Sequence, residues 1–253
     1  MMVESIIFLL GICIGSFLNV VIDRVPNGES IAKGRSYCDH CKKTLRWYEL
    51  LPVVSWILQG GKCLRCRKKL SIQYPLIELI TGLGFIYIGR TLPSSFIITL
   101  TSFIIFSTLL VTLMVDLKYE LISDVHMVII FIGAAILHYA SLQSISLVTP
   151  YLLAGFGASL LFFLFWAFSK GKAMGFGDVE LAFVLGFLAG FPVIIYGLYI
   201  AFLTGAALGV ILILVGNKTL KSHVPFGPFL IAGTGIAMLY SVQIQALLKG
   251  ILW

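Results

Sequence analysis

Residues 94–116 read SSFIITLTSFIIFSTLLVTLMVD: twenty-two successive residues without a charge, closed by an aspartate. At about 1.5 Å of rise per residue, a helix of that length covers the roughly 30 Å hydrocarbon core of a bilayer. Working outward, comparable apolar stretches run over residues 5–22, 75–90, 125–142, 150–168, 178–196, 198–216 and 228–248. The stretch at 75–90 is short and carries Glu78, and the junction near Gly197 also fits one long kinked helix. No succession of short segments alternates with period two, so a β-barrel is not indicated. Of 253 residues, 59% are apolar and 11% charged, whereas a soluble domain carries roughly 25% charged residues. That balance excludes a soluble enzyme, a disordered chain and a small disulfide-stapled secreted module. It predicts an all-α polytopic membrane protein with about eight transmembrane helices.

The net charge of +7 would suggest nucleic acid in a soluble protein, but its distribution argues otherwise. Residues 23–74 contain eleven of the eighteen basic residues and only four acids, which accounts for the whole excess; the rest of the chain is neutral. The chain therefore divides into a first transmembrane helix (1–22), a polar basic insert (23–74) and a seven-helix membrane domain (75–253). With the N-terminus outside, the inside segments 23–74, 116–124, 169–177 and 217–227 collect sixteen basic residues, including Lys118, Lys170, Lys172, Lys218 and Lys221. The outside segments hold only Arg90 and Lys249. This is a strong positive-inside pattern. The start Met1-Met2-Val3-Glu4 lacks the basic region of a signal peptide, so residues 1–22 read as a retained helix.

Four of the five cysteines form the pairs Cys38-x2-Cys41 and Cys63-x2-Cys66. Each pair can present two thiolates to one ion from a tight turn, and two such turns complete a tetrahedral site. Lys42, Lys43, Lys62, Arg65 and Arg67 crowd around them, an environment that favours thiolates. Disulfides and redox thiols are the other readings, and a reducing cytoplasmic location disfavours stable disulfides. Structural Zn²⁺ is the expected occupant, because four thiolates leave no open position for water. Cys13, inside the first span, reads as a small buried hydrophobe.

The acids outside the insert are Glu4, Glu78, Asp116, Glu120, Asp124, Asp178 and Glu180. Carboxylates near membrane spans are costly and tend to be functional. Asp116 closes the third span and Asp178 opens the sixth, so the expected topology brings both to one membrane boundary although 62 positions separate them. Two close carboxylates share a proton, one acting as base towards water and the other as acid towards a leaving amine. Gly175 and Gly177 remove bulk beside Asp178 and leave room for an extended peptide. Asp178 also fits a helix N-cap, Asp116, Glu120 and Asp124 also fit a solvated helix face, and an acid-built ion site is a third reading.

An ordered set of motifs then resembles one family. These are Gly15-Ser16-Phe17-Leu18-Asn19 through Asp23-Arg24-Val25-Pro26, the two cysteine pairs, Leu51-Pro52-Val53-Val54-Ser55-Trp56, Gly60-Gly61-Lys62-Cys63 and Tyr74-Pro75-Leu76-Ile77-Glu78. After them come Asp116 to Asp124 as an Asp-x7-Asp/Asn segment, Gly175-Phe176-Gly177-Asp178 as a GxGD motif, and Pro225-Phe226-Gly227-Pro228-Phe229. Together they resemble the type IV prepilin peptidases, bifunctional leader peptidases and N-methyltransferases of bacterial pilus, secretion and competence systems. The family usually has Pro where this chain has Ser123.

The resemblance implies a membrane aspartic protease that removes a short basic leader from prepilin or pseudopilin precursors, after a Gly, at the cytoplasmic face of the bacterial inner membrane. Asp116 and Asp178 match the catalytic pair, and Gly175, Gly177 and Asp124 match supporting positions. It also implies methylation of the new N-terminal residue with S-adenosylmethionine as donor. No soluble-type methyl-donor loop is visible, which leaves the Gly60-Gly61-Lys62 turn and Glu78 as candidates. The partners expected are prepilin-like precursors and membrane lipid, with no nucleic acid. The competing classes are a multi-span transporter and a zinc-scaffolded, lipid-binding membrane adaptor without catalysis. Neither requires Asp116 to approach Asp178.

Overall fold

The computed structural model describes residues 2–92, 95–142, 147–172, 174–215 and 225–252. Among them it is all-helical, with ten α-helices and two isolated β-bridges. The chain forms two compact units, Met1–Val111 and Thr112–Trp253, divided inside one helix.

In the first unit, α1 (Met2–Arg24) packs along α3 (Gln73–Thr91). Glycines make that approach possible. A Cβ on Gly11 would lie 2.7 Å from the Cα of Gly82, and one on Gly15 2.7 Å from the Cα of Glu78. Small residues four apart let helix backbones meet where apolar burial gives no driving force within a bilayer. The polar ends of the pair interlock as well. Asn19 donates to the Tyr74 carbonyl (3.1 Å) and accepts from the Gln73 amide (3.2 Å). Cys13 is exposed on α1, which corrects its expected burial: the side of α1 that meets α3 carries Gly11 and Gly15, not Cys13. Between these helices run two 3₁₀ turns (Val25–Asn27, Trp47–Leu50), the short α2 (Val54–Leu58) and the cysteine turns. Buried Arg24 holds the loop after α1 by donating to the carbonyls of Ser30, Lys33 and Arg35.

Helix α4 (Phe96–Tyr119) crosses into the second unit. That unit continues with α5 (Asp124–Leu142), α6 (Thr149–Ser169), α7 (Phe176–Ala189), α8 (Val193–Leu214), α9 (Gly227–Leu239) and α10 (Ser241–Leu252). Two pairs pack closely: α6 with α7 through Gly155 and Gly186, and α8 with α9 through Gly197, Gly233 and Thr234.

Five described helices are long and apolar enough to cross a membrane, and a sixth span arises if α9 and α10, bent by 78°, count as one. Of the remaining expected segments, 75–90 coincides with α3, and 178–196 covers most of α7 and runs on into the start of α8. The break between the sixth and seventh segments falls earlier than Gly197. It lies at Gly190 to Pro192, where φ of Gly190 is +70°, while Gly197 sits inside α8 against Thr234. Gly190 ends α7 in a conformation open to glycine, and Pro192 precedes the first residue of α8; the glycine at 197 serves packing. Lys218 and Lys221, counted among the basic loop residues, lie outside the described residues, as does the side chain of Lys249.

Candidate active site

The two chemistry-bearing clusters are built in different ways. In the first unit, the Sγ atoms of Cys38, Cys41, Cys63 and Cys66 all lie within 4.8 Å of one another, and Cys38 and Cys66 are 3.9 Å apart. A tetrahedral site with bonds of about 2.3 Å places its sulfurs roughly 3.8 Å apart, so the four thiols fit one metal ion.

The two turns are copies of one another. Cys38 N–H donates to the Lys43 carbonyl (3.1 Å) and Lys42 N–H to the Cys38 carbonyl (2.8 Å). Cys63 N–H donates to Lys68 (2.9 Å) and Arg67 N–H to Cys63 (3.0 Å). Lys42 and Arg67 occupy the left-handed region at equivalent positions, φ +52° and +58°. Flanking bridges, Tyr37 to Thr44 and Lys62 to Lys69, close each turn.

Backbone N–H groups and burial act in opposite directions on two of the thiols. The N–H groups of Cys66 and Arg65 hold the Cys63 thiol down at about 7, whereas burial pushes Cys38 up to about 11. A metal ion supplies the missing compensation for a buried thiolate at Cys38.

Of the methyl-donor candidates, Gly60 (φ +58°) has open space where a side chain would be. Gly61 (φ +65°) has that space filled by the Trp56 ring. Glu78 is buried in α3, where its carboxylate accepts the Val53 N–H (2.6 Å) and the Ser16 hydroxyl. Its partners belong to the chain itself.

In the second unit, the site is assembled from helix ends. Asp116 lies one turn before the C-terminus of α4; Asp178 lies in the first turn of α7. Both are buried, 5% and 7% exposed. Asp116 interacts electrostatically with Asp178 and with Glu120, so the residues separated in sequence share one site. Asp178 is the third residue of its helix, and its carboxylate accepts the N–H of Gly175, the residue before the first turn. This is the returning half of a capping box.

The first residue of α9, Gly227, adds a third helix end. Its N–H acts on the Asp116 carboxyl, and any Cβ there would collide with Asp116 Oδ2. That oxygen is buried with no hydrogen-bond partner among the described residues. A buried carboxylate oxygen without a partner is expensive, and it is the atom a shared proton or an attacking water would engage.

The loop from α4 to α5 closes the arrangement. α4 stops at Glu120, which adopts φ +53° while its N–H bonds the Asp116 carbonyl (2.9 Å). Two residues later, Ile122 packs where a Cβ of Gly177 would be, 2.9 Å from Ile122 Cβ. The room at Gly177 is thus taken by the chain's own loop, and its absent side chain lets the α4 end meet the α7 start. Gly175 remains open, with its nearest neighbour at 4.0 Å. Asp124 opens α5 and interacts with Glu180 at the rim.

Three contributors escaped the sequence reading. Ile122 carries no chemical signal. Thr112, one helical turn before Asp116 and wholly buried, meets buried His126 of α5 (Oγ1 to Nδ1, 3.3 Å). A lone imidazole two residues after Asp124 in an apolar helix was the available clue.

Comparison with known proteins gives matches over most of the chain. Residues 9–91 match the profile described as the bacterial peptidase A24 N-terminal domain, and residues 103–210 match the type IV leader peptidase family. The prepilin leader peptidase/N-methyltransferase of Bacillus subtilis is 32% identical over 245 residues, covering 95% of both chains. The protein of the same description from Pseudomonas aeruginosa is 31% identical, over 93% of this chain and 90% of its own. The one from Aeromonas hydrophila is 32% identical, over 95% and 91%. No solved structure matches.

Proposed function

The chain belongs to the type IV leader peptidase family, and from that premise we propose that Asp116 and Asp178 are its proteolytic pair. They cut prepilin or pseudopilin precursors after a short basic leader. The observation that carries this reading is that the end of α4 and the start of α7, joined through Ile122 on Gly177, each bring a buried carboxylate, one with an unpartnered oxygen. One carboxylate removes a proton from water as its oxygen attacks the scissile carbonyl. The other, protonated, gives its proton to the departing amine; the proton taken from water then restores the pair. A coupled pair titrates as a unit, so the acid and base roles belong to the pair. Gly175, Gly177 and Asp124 support it: Gly175 as open space for substrate, Gly177 as the seat of Ile122, and Asp124 at the rim.

The proposed topology has eight spans with the N-terminus outside. The insert and both aspartates lie on the cytoplasmic side of the bacterial inner membrane, as the distribution of basic residues supports. In domain terms, 1–22 is the first span, 23–74 the metal-binding insert and 75–253 the protease domain. Zn²⁺ held by Cys38, Cys41, Cys63 and Cys66 would supply a structural crosslink between the two turns. The second proposed activity is N-methylation of the new N-terminal residue, for which S-adenosylmethionine would supply the methyl group. Gly60 offers the open position of the three candidates, and Glu78 holds the neighbouring segment through Val53.

The decisive experiment incubates the full-length protein in detergent with a synthetic precursor peptide, with and without methyl donor, and weighs the product's N-terminus. Cleavage in both arms, with a further methyl group only when donor is present, is expected. No cleavage by the wild type, or full cleavage by Asp116→Ala or Asp178→Ala, overturns the aspartic reading.

A further inference from the structure

Within the insert, the stretch from Trp47 to Leu58 exposes more apolar surface than a water-facing loop should. Trp47 is 74% exposed, Ile57 63% and Leu58 79%, with Leu50 and Val54 also exposed. Val54, Ile57 and Leu58 stand three and four positions apart on α2, so they share one face of that turn. The preceding 3₁₀ turn, Trp47–Leu50, packs against α2. The remaining aromatic residue of α2, Trp56, points the other way, onto Gly61.

The stretch also hides its one acid. Glu49 is buried, accepts the Arg46 N–H at 2.7 Å and pairs with Arg65 at 3.9 Å. What remains outward is apolar surface bordered by the exposed bases Arg46, Lys62 and Arg65.

An independent observation fixes where this surface lies along the fold. Val53, between the two turns, donates its N–H to Glu78 at 2.6 Å, and adopts φ +62° to do so. Glu78 is five residues into α3, about 7 Å along the helix from its start. The stretch is therefore pinned beside α3 below its first turn, rather than standing off beyond its end.

We propose that Trp47–Leu58 is an interfacial wedge, its apolar face seated in the headgroup and upper acyl layer of an anionic leaflet. The proposal rests on the reading of α1 and α3 as membrane spans. Apolar and aromatic side chains with a basic border are the composition that partitions into this layer, about 5–10 Å below the headgroups. The excess of bases over acids in residues 23–74 complements anionic lipid, because basic residues near such a surface are drawn to its negative potential. Because both ends of the insert continue into spans, lipid is already within reach and binding costs no association entropy. The wedge would hold the cysteine turns at a constant depth.

The test uses the native tryptophan. Full-length protein carrying Trp56→Phe, Trp166→Phe and Trp253→Phe, which leaves Trp47, is placed in lipid nanodiscs of anionic or zwitterionic composition. Quenching is read with lipids brominated high on the acyl chain and with aqueous iodide. Two further proteins, with Trp47→Phe added and Leu83→Trp or Lys68→Trp, report the α3 face and a cysteine turn. Trp47 should lose at least half its emission to brominated anionic lipid, lose less in zwitterionic discs, and stay shielded from iodide, unlike Lys68→Trp. Quenching by iodide alone, or by neither agent, overturns the wedge; the second result would mean that protein covers the face. Equal quenching in both lipids overturns the preference for anionic lipid. If Leu83→Trp is not quenched by lipid, the spanning reading of α3 has failed instead.

Discussion

The cysteine turns and the aspartate site solve opposite construction problems. Each cysteine pair is local: two thiols, a left-handed residue and two backbone hydrogen bonds lie within six consecutive residues, and the same pattern is used twice. The aspartate site has no local version. It needs the end of α4, the start of α7 and the start of α9, plus a loop residue filling the space of a missing side chain. In the first, the backbone tunes the chemistry from inside the motif; in the second, distant helix ends supply partners one at a time. Local centres should tolerate change elsewhere in the chain and collapse when a ligand is lost. Assembled centres should be graded, losing activity in proportion to how directly a change touches the carboxylates.

The largest expected effect removes a carboxylate. Asp116→Asn or Asp178→Asn keeps side-chain volume but abolishes proton transfer, and should lower cleavage by at least about 10³-fold. Methylation of a synthetic, already cleaved N-terminus should stay close to wild type. Assaying the two activities separately on one preparation checks this. Loss of both activities together would erase the contrast between the two regions.

Next is loss of a ligand. Cys38→Ser should reduce bound zinc from about one ion per chain to a trace, because the buried position cannot hold a charge-neutral ligand of equal strength. Metal analysis and trypsin sensitivity at Lys42 and Lys68 read this directly. Retention of the metal with unchanged protection would show that the turns are not one centre.

The two regions also differ in what their sequences reveal. Cys38, Cys41, Cys63 and Cys66 are readable because ligand spacing is itself the structure. Asp116 and Asp178 stand out because insertion cost makes such residues rare, and loop charge leads to the expectation that both lie at one boundary. The helix order and most span limits followed from apolar run length. What stayed hidden depends on tertiary approach. The break before α8 falls at Gly190, which caps α7, rather than at Gly197, since a glycine that permits a helix crossing resembles one that ends a helix. Gly177 looked like room for substrate because nothing in the sequence announces that Ile122 will fill it. Gly227 belonged to a recognised motif, yet its contact with Asp116 comes from a fold over more than a hundred residues of chain.

Gly227→Ala tests the assembled character of the site at middle strength. Its methyl group would collide with Asp116 Oδ2, so either the carboxylate or the start of α9 must shift. A displacement of about 1 Å in a reacting group costs about 10²-fold. The fall should appear in kcat with KM little changed, while metal content stays constant. A change confined to KM would place Gly227 in substrate binding instead.

The smallest effect is expected at the hidden pair, Thr112 and His126. The hydrogen bond joins α4, one turn before Asp116, to the first turn of α5, two helices whose backbones do not pack as closely as α6 and α7 do. Thr112→Val keeps the shape and removes the hydroxyl. A hydrogen bond worth about 1 kcal/mol limits the cost to roughly tenfold or less in kcat. Thr112→Ser should restore most of it, since the oxygen returns although a methyl is lost. His126→Phe removes the same Thr112–His126 bond, so the double variant Thr112→Val/His126→Phe should lose less than the two single losses added together. Additive losses would mean that each residue acts only through its own packing. In that case the α4 end is held by Glu120, Ile122 and Gly177 alone, and the site is more local than its dispersed sequence positions suggest.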